Sequence, residues 1–297
     1  MKLIHYLDKE NDSYGAWSGD KVTNLPRLAK QFEKTLPEHL EDFVSSGVEG
    51  VNLAENLLEE ASEKQIKRAT SPFREERLLA PIVFPPKIIC LGLNYRDHIK
   101  EQNAATPDEP IIFMKPHTSV MGPGGSIIKP SFVEELDYEA ELAIVMGRKA
   151  KNVSVSESRS YIFGYTIMND VSARDVQFKD KQWTRGKSFD TFAPMGPCIT
   201  TAYQLRDASD LPIRTWVNDE LRQNSTTKNM LFNVCEIVHH LSRVMTLEPC
   251  DIIATGTPGG VGFSLKPRSK FLHDGDTVRI EVAGIGILTN KVTEEKL

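Results

Sequence analysis

The segment Leu136-Asp137-Tyr138-Glu139-Ala140-Glu141-Leu142-Ala143-Ile144-Val145-Met146 constrains this chain more than any other, because every second residue from Leu136 to Met146 is apolar. Period two is the signature of a strand whose alternate side chains face one buried layer. The opposite face begins Asp137, Glu139, Glu141. At about 3.3 Å rise per residue, the two glutamates leave the backbone in the same direction, roughly 7 Å apart at their stems. Adjacent carboxylates repel unless a cation neutralises them. One strand alone is read rather as a solvated sheet face balanced by nearby lysines, since one face of a sheet is commonly wet.

A second run, Gly164-Tyr165-Thr166-Ile167-Met168-Asn169-Asp170, reads as a strand that delivers another acid at its C-terminal end. Alone, Asp170 would pass for the cap of a following helix. Convergence of Glu139, Glu141 and Asp170 offers hard oxygen donors without His or Cys, a set suited to Mg²⁺, Mn²⁺ or Ca²⁺. Three such ligands leave about three octahedral positions for water and substrate, an open and catalytic kind of site.

The remaining apolar runs place this strand in a larger frame. Lys87 to Leu93, Ile111 to Met114 and Asp251 to Thr255 are short and read as strands, with helices near Tyr95 to Gln102, Val155 to Tyr161 and Val234 to Thr246. Residues 1 to about 25 predict one or two hairpins, followed by two helices. One of these is amphipathic, with Leu53, Leu57, Leu58 and Ala61 at helical spacing in or beside the charged run Glu55 to Arg68. Pro72, Pro81, Pro85 and Pro86 mark its exit. The 297 residues therefore divide into a small N-terminal α/β cap domain, 1–83, and a strand-dominated α+β catalytic domain, 84–297.

Charge and composition narrow the function classes. Against 41 acidic residues stand 36 basic ones, a net charge of -5 with no basic stripe for a phosphate backbone. No window approaches the roughly 18 apolar residues of a membrane helix. Asp8, Glu10 and Asp12 argue against a secretory or transit leader, and a cytoplasmic location is expected. Cys90, Cys198, Cys235 and Cys250 are far apart, without a CxxC pair, and read as reduced thiols.

Five ordered motifs then carry a resemblance. They are Gly92-Leu93-Asn94-Tyr95-Arg96-Asp97-His98, Leu136 to Leu142, Asn169-Asp170-Val171-Ser172-Ala173-Arg174-Asp175, Gly186-Lys187-Ser188-Phe189-Asp190, and Thr255-Gly256-Thr257-Pro258-Gly259-Gly260-Val261-Gly262. Through them the chain resembles the fumarylacetoacetate hydrolase superfamily over Ile88 to Val292. Glu101-Gln102-Asn103 and Phe189-Asp190-Thr191-Phe192 point to its domain-containing type 2 proteins. The resemblance implies a mixed β-sandwich roll, a homodimer, chemistry on 2-oxo or 2,4-dioxo acids, and a divalent cation, usually Mg²⁺, held by Glu139, Glu141 and Asp170. The N-terminal region is shorter than in the founding hydrolase, and the core is present once rather than duplicated.

His98 and Glu101 stand at i and i+3 on the short helix after Asn94, so their side chains can meet. Spacing alone favours a surface ion pair. In the resembling acylpyruvate hydrolases the matching pair activates water, which makes these two a general-base dyad by resemblance. Lys187 sits in Gly186-Lys187-Ser188, but a phosphate loop would need glycine where Lys181 stands. It reads instead as a cation near developing enolate charge, the ordinary alternative being a solvated lysine. By resemblance Arg174, Gln177 and Lys115 line the same cavity. Gly256 and Thr257 follow an apolar strand, where glycine lets backbone amides approach a substrate carboxylate; the series does not spell the dinucleotide pattern GxGxxG.

The reaction expected first is Mg²⁺-dependent hydrolysis of a carbon–carbon bond in a 2,4-dioxo acid of acylpyruvate or fumarylpyruvate type. Water activated by His98 and Glu101 would add at C4, and the C3–C4 bond would break with the enolate held by the cation. Decarboxylation or keto-enol tautomerisation of oxaloacetate on the same site is the alternative. A non-catalytic scaffold comes third, because fold by itself never establishes activity.

Overall fold

The computed structural model describes residues 1–179, 182–205 and 207–296; Lys181, invoked above against a phosphate loop, lies outside them. The strands are β1 (Lys2–Asp8), β2 (Asn11–Ser18), β3 (Lys21–Asn24), β4 (Thr70–Pro72), β5 (Ile88–Gly92), β6 (Ile111–Lys115), β7 (Val120–Met121), β8 (Ser126–Lys129) and β9 (Leu136–Asp137). They continue as β10 (Ala140–Met146), β11 (Ile162–Asn169), β12 (Ser172–Ala173), β13 (Ala193–Thr201), β14 (Pro212–Val217), β15 (Glu220–Thr226), β16 (Ile252–Ala254), β17 (Thr277–Val282) and β18 (Gly286–Glu294). Among the described residues these form an 11-stranded sheet in the order β4-β3-β2-β1-β13-β11-β10-β16-β5-β6, with β7 beside β13. A 5-stranded sheet β15-β14-β17-β18-β8 and the small pair β12-β9 complete the set. This is the strand-dominated α+β architecture expected.

Two apolar layers explain the arrangement. Leu142, Ile144, Tyr165 and Ile167 of the large sheet share one core with Ile213, Ile280, Leu288 and Val292 of the smaller sheet. The alternate residues Ala143 and Val145, with Phe163 and Met168, share a second core with Leu25, Leu28 and Phe43 from the N-terminal helices. Burying an aliphatic side chain of this kind is worth roughly 1.5–3 kcal/mol, so both faces of β10 are held. The expectation of a single buried face is corrected: β10 is buried throughout, and Asp137, Glu139 and Glu141 are buried as well.

The strand read as continuous from Leu136 to Met146 is interrupted at Tyr138-Glu139. Leu136 and Asp137 pair with Ala173 and Ser172 of β12, whereas Ala140 onward pairs with β11. Side-chain amides patch the gap, with Glu139 N donating to Asn169 Oδ1 (3.0 Å) and Ala140 N to Gln223 Oε1 (3.1 Å).

The N-terminal region forms the meander β1-β2-β3, and β1 then pairs with β13, placing Leu3 opposite Ile199, so the large sheet runs on into residues 1–83. The helix expected through Glu55 to Arg68 is two, Gly47–Glu60 and Glu63–Ala69, and four helices precede β4 where two were expected. Ser62 forms a capping box with Gln65, satisfying amides that a continuous helix would have used internally. The helix expected at 155–161 is a single turn, Val155–Ser158, followed by a tighter turn, Arg159–Tyr161.

Candidate active site

The register of three neighbouring strands assembles the acids. Ala140 pairs with Asn169, so Asp170 lies just past the end of β11 and its amide donates to Glu139 O at 2.9 Å. On the other side Ala143 pairs with Ala254 of β16; the chain beyond β16 brings the Gly256 amide to Glu141 Oε2 at 2.8 Å. One carboxylate oxygen from each of Glu139, Glu141 and Asp170 falls within 4.8 Å of the others.

Three buried cations surround this cluster. Lys115, at the end of β6, donates to Asp170 Oδ1 (2.6 Å) and to Val171 O (3.2 Å). Lys187, on the short helix Thr184–Lys187, donates to Asp170 Oδ2 (2.6 Å) and Glu139 Oε2 (2.7 Å). Arg174 bonds Asp137 Oδ2 through Nε (2.9 Å) and Gln177 Oε1 (3.0 Å), and its remaining nitrogen is ion-paired to Glu139 Oε1 at 2.7 Å. Asp137, Glu139, Glu141 and Asp170 together carry one more charge than these cations balance.

The imbalance falls on Glu141. Burial, then the charges of Asp170 and Glu139, push its carboxyl well above the ordinary carboxylate range, and Oε1 is buried with no hydrogen-bond partner. Burial also opposes ionisation of Glu139, but Lys187 and Arg174 outweigh it and hold this acid below the usual range. Desolvation likewise acts against the Lys187 charge, and Asp170 and Glu139 more than restore it. An orphaned buried oxygen among three close carboxylates fits a hard divalent cation, which takes oxygen ligands alone.

The dyad forms beside it. His98 is 5% exposed, and its Nδ1 lies 2.7 Å from Glu101 Oε1. Facing a carboxylate, Nδ1 is the atom that carries hydrogen in the neutral ring, which leaves the lone pair on Nε2. Gln102 Nε2 meets that atom. Glu101 Oε2 accepts the Gly260 amide at 2.8 Å, tying the dyad to the glycine-rich loop. Gly260 has φ +101°, and a Cβ there would stand 2.1 Å from Arg222 O, so glycine alone fits.

His98, Glu139, Arg174, Gln177, Lys187 and Thr257 line one cavity, whose wall is completed by Phe113, Phe178, Trp183 and Phe263. Arg174 lies 4.5 Å from the Phe263 ring centre, and Lys187 4.9 Å from that of Phe113. Lys115 and Gly256 meet the acids themselves: the first holds Asp170 and the second directs its amide to Glu141.

Residues 87–293 match the family description "Fumarylacetoacetate (FAA) hydrolase C-terminal". The chain belongs to the fumarylacetoacetate hydrolase family. It is 41% identical to the oxaloacetate tautomerase Fahd2a, mitochondrial, of Rattus norvegicus, over 98% of this chain and 91% of that protein. Among solved structures it superposes on the fumarylacetoacetate hydrolase of psychrophilic Exiguobacterium antarcticum with TM-score 0.84 and 35% identity, covering 99% and 100% of the two chains. The maleylpyruvate hydrolase of Sphingobium sp. SYK-6, in complex with manganese(II) ion and pyruvate, superposes with TM-score 0.79 and 28% identity over 100% of both.

Several residues of this family member act behind those singled out by sequence. Asp137, expected only as the start of an acidic face, anchors Arg174 and also accepts the amides of Gly262 (2.7 Å) and Phe263 (3.1 Å). Asn94 bonds Thr255 O (2.7 Å) and both polar backbone groups of Phe232. Gln223 donates to Thr257 Oγ1 (2.8 Å) and Pro258 O (2.9 Å). Asn94, Gln102 and Asp137 lie in stretches quoted above; Gln223 lies in none.

Proposed function

We propose that this chain is a divalent-cation-dependent enzyme acting on small 2-oxo acids, and that its reaction is the keto-enol tautomerisation of oxaloacetate. The observation that carries this choice is the 41% identity to an oxaloacetate tautomerase along 98% of the chain. It reverses the order expected from sequence, where carbon–carbon hydrolysis stood first. Glu139, Glu141 and Asp170 would hold the ion, Mg²⁺ or Mn²⁺ by their chemistry. Bound there, it supplies positive charge where enolate charge develops.

The chain's own residues account for the proton. With the Gln102 amide turned off Nε2, His98 Nε2 takes a proton from C3 of the keto acid, and Glu101 steadies the imidazolium through Nδ1. The electron pair left by the C3–H bond forms the C2–C3 double bond as the carbonyl π pair moves onto the 2-oxo oxygen, and that oxygen takes the proton back from the His98 imidazolium, completing the enol and restoring the neutral ring. No water is consumed. Lys187 places an ammonium beside the developing negative charge, and Arg174 holds Glu139 and Gln177 in register around it. Thr257, fixed by Gln223, offers a hydroxyl at the cavity wall.

A second reading, hydrolysis of a 2,4-dioxo acid, is favoured by the similarity to the manganese- and pyruvate-bound maleylpyruvate hydrolase. There the dyad would deliver water to C4 rather than collect a proton from C3. The test is a product assay on metal-stripped protein given oxaloacetate or acetylpyruvate, with and without Mg²⁺. Metal-dependent loss of enol absorbance without pyruvate or CO₂ supports tautomerisation. Acetate and pyruvate from acetylpyruvate support hydrolysis, and CO₂ from oxaloacetate supports decarboxylation. The homodimer implied by family resemblance and a cytoplasmic location complete the proposal, to be checked by light scattering and by cell fractionation. The rat relative is named a mitochondrial protein.

A further inference from the structure

The Lys187 ammonium bridges two of the three acids that the proposed cation would require. Its nitrogen is 2.7 Å from Glu139 Oε2 and 2.6 Å from Asp170 Oδ2. The remaining oxygens of these two acids are engaged as well, Glu139 Oε1 by Arg174 and Asp170 Oδ1 by Lys115. In the whole triad only Glu141 Oε1 has no partner. A divalent ion collecting one oxygen from each acid therefore meets a resident cation on at least two of them.

The three resident cations are not equally fixed. Arg174 is clamped by Asp137 and Gln177 besides Glu139, and it packs on Phe263. Lys115 has a backbone carbonyl, Val171 O, in addition to Asp170. Among the described residues the hydrogen bonds of Lys187 go to the two triad acids alone, its ammonium otherwise lying over the Phe113 ring at 4.9 Å, and its stem rises from a single helical turn beside the cavity. A compact ammonium on four rotatable carbons is the member best able to move.

We propose that Lys187 is a displaceable internal cation: it occupies the space between Glu139 and Asp170 in the cation-free protein and yields it when a divalent ion binds. This rests on the reading of the triad as a metal site and goes beyond it. Two like charges cannot share one position in a buried site, so the ammonium and the ion compete for the same carboxylate oxygens. Displacement also turns the ammonium toward the cavity, where an anionic substrate would meet it. The protein thus keeps its acids compensated while empty, at the cost of a weaker hold on the ion.

The test is calorimetric titration of metal-stripped wild type and Lys187→Met with Mn²⁺. Loss of the competitor is expected to tighten Mn²⁺ binding at least tenfold. It should also widen the gap in thermal midpoint between cation-free and Mn²⁺-saturated protein. Unchanged or weaker binding in the variant overturns the displacement while leaving the metal site standing. Absence of Mn²⁺ binding in both proteins overturns the metal site and the displacement together. Because the variant risks poor folding, a second measurement uses wild type alone, following acylation of Lys187 by acetic anhydride with mass spectrometry. Saturating Mg²⁺ is expected to raise that reactivity several-fold as the ammonium leaves its carboxylates, and an unchanged or lower rate overturns the proposal.

Discussion

The amide of Asp170 donates to the carbonyl oxygen of Glu139 at 2.9 Å, so a single backbone bond holds two of the three triad acids in register. The bond follows from the antiparallel pairing of Ala140 with Asn169, which makes the site an extension of the sheet rather than a loop assembly. Asp170 in turn compensates both Lys115 and Lys187. Asp170→Asn preserves shape and removes that charge. It is expected to cost about 3 kcal/mol, the lower end for breaking a buried pair, and to abolish cation-dependent turnover. Urea denaturation and the enol assay check the two effects, and turnover within tenfold of wild type would refute the role given to this acid.

His98 tests the other half of the site. General-base contributions are typically about 10²–10⁴-fold, so His98→Ala should lower tautomerase turnover by that range. Mn²⁺ affinity should be nearly unaffected, because the imidazole bonds Glu101 and Gln102 rather than a triad acid. Any decarboxylation of oxaloacetate that depends on the cation alone should survive. Calorimetry with parallel assays for enol and CO₂ separates these outcomes; full tautomerase turnover in the variant would remove His98 from the mechanism.

How far sequence could lead is clear from these two sites. Alternation from Leu136 to Met146 put Glu139 and Glu141 on one side correctly, since direction along a strand is local. It missed the break at Tyr138-Glu139, because the groups that patch it, Asn169 and Gln223, are distant in the chain. It also left the acidic face open to being solvated, for what covers that face comes from Lys115, Arg174 and Lys187 on three other elements. Asn94 and Asp137 stood within recognisable motifs, but their tasks depend on carbonyls and amides near residues 232, 255 and 262. Gln223 left no local signal: a glutamine in a strand is ordinary until its four partners are seen. The helix through Glu55 to Arg68 failed for a different reason, as Ser62 and Gln65 form a capping box inside an otherwise helical pattern.

Glu141 carries the pH dependence. Burial and the charges of Asp170 and Glu139 raise its carboxyl well above the ordinary range, so cation-free folded protein binds a proton that the unfolded chain has already lost. A raised folded value contributes stability that is fully present below the unfolded value and lost as pH climbs through the folded one. Cation-free protein should therefore lose stability with rising pH across that window. Cation binding requires the carboxylate, so it should release a proton there and tighten as pH rises. Titrating Mn²⁺ in two buffers of different ionisation enthalpy measures the release; identical heats in both would contradict it.

Gln223 is fully buried and ties four groups together. Its Oε1 accepts from Ala140 N (3.1 Å) and Thr215 Oγ1 (2.7 Å), while Nε2 donates to Thr257 Oγ1 (2.8 Å) and Pro258 O (2.9 Å). It thereby joins the start of β10 to the loop that carries Thr257 into the cavity. Gln223→Ala leaves buried polar groups without partners, each worth about 1–3 kcal/mol, and an overall loss of about 3 kcal/mol is expected after relaxation. Thr257 should lose its fixed orientation, raising KM for the oxo acid more than it lowers kcat. Mn²⁺ affinity should change little, because none of the four partners is a triad carboxylate. Denaturation, steady-state kinetics and calorimetry on the one variant read all three quantities, and an unchanged KM with collapsed Mn²⁺ binding would place Gln223 behind the acids instead of behind Thr257.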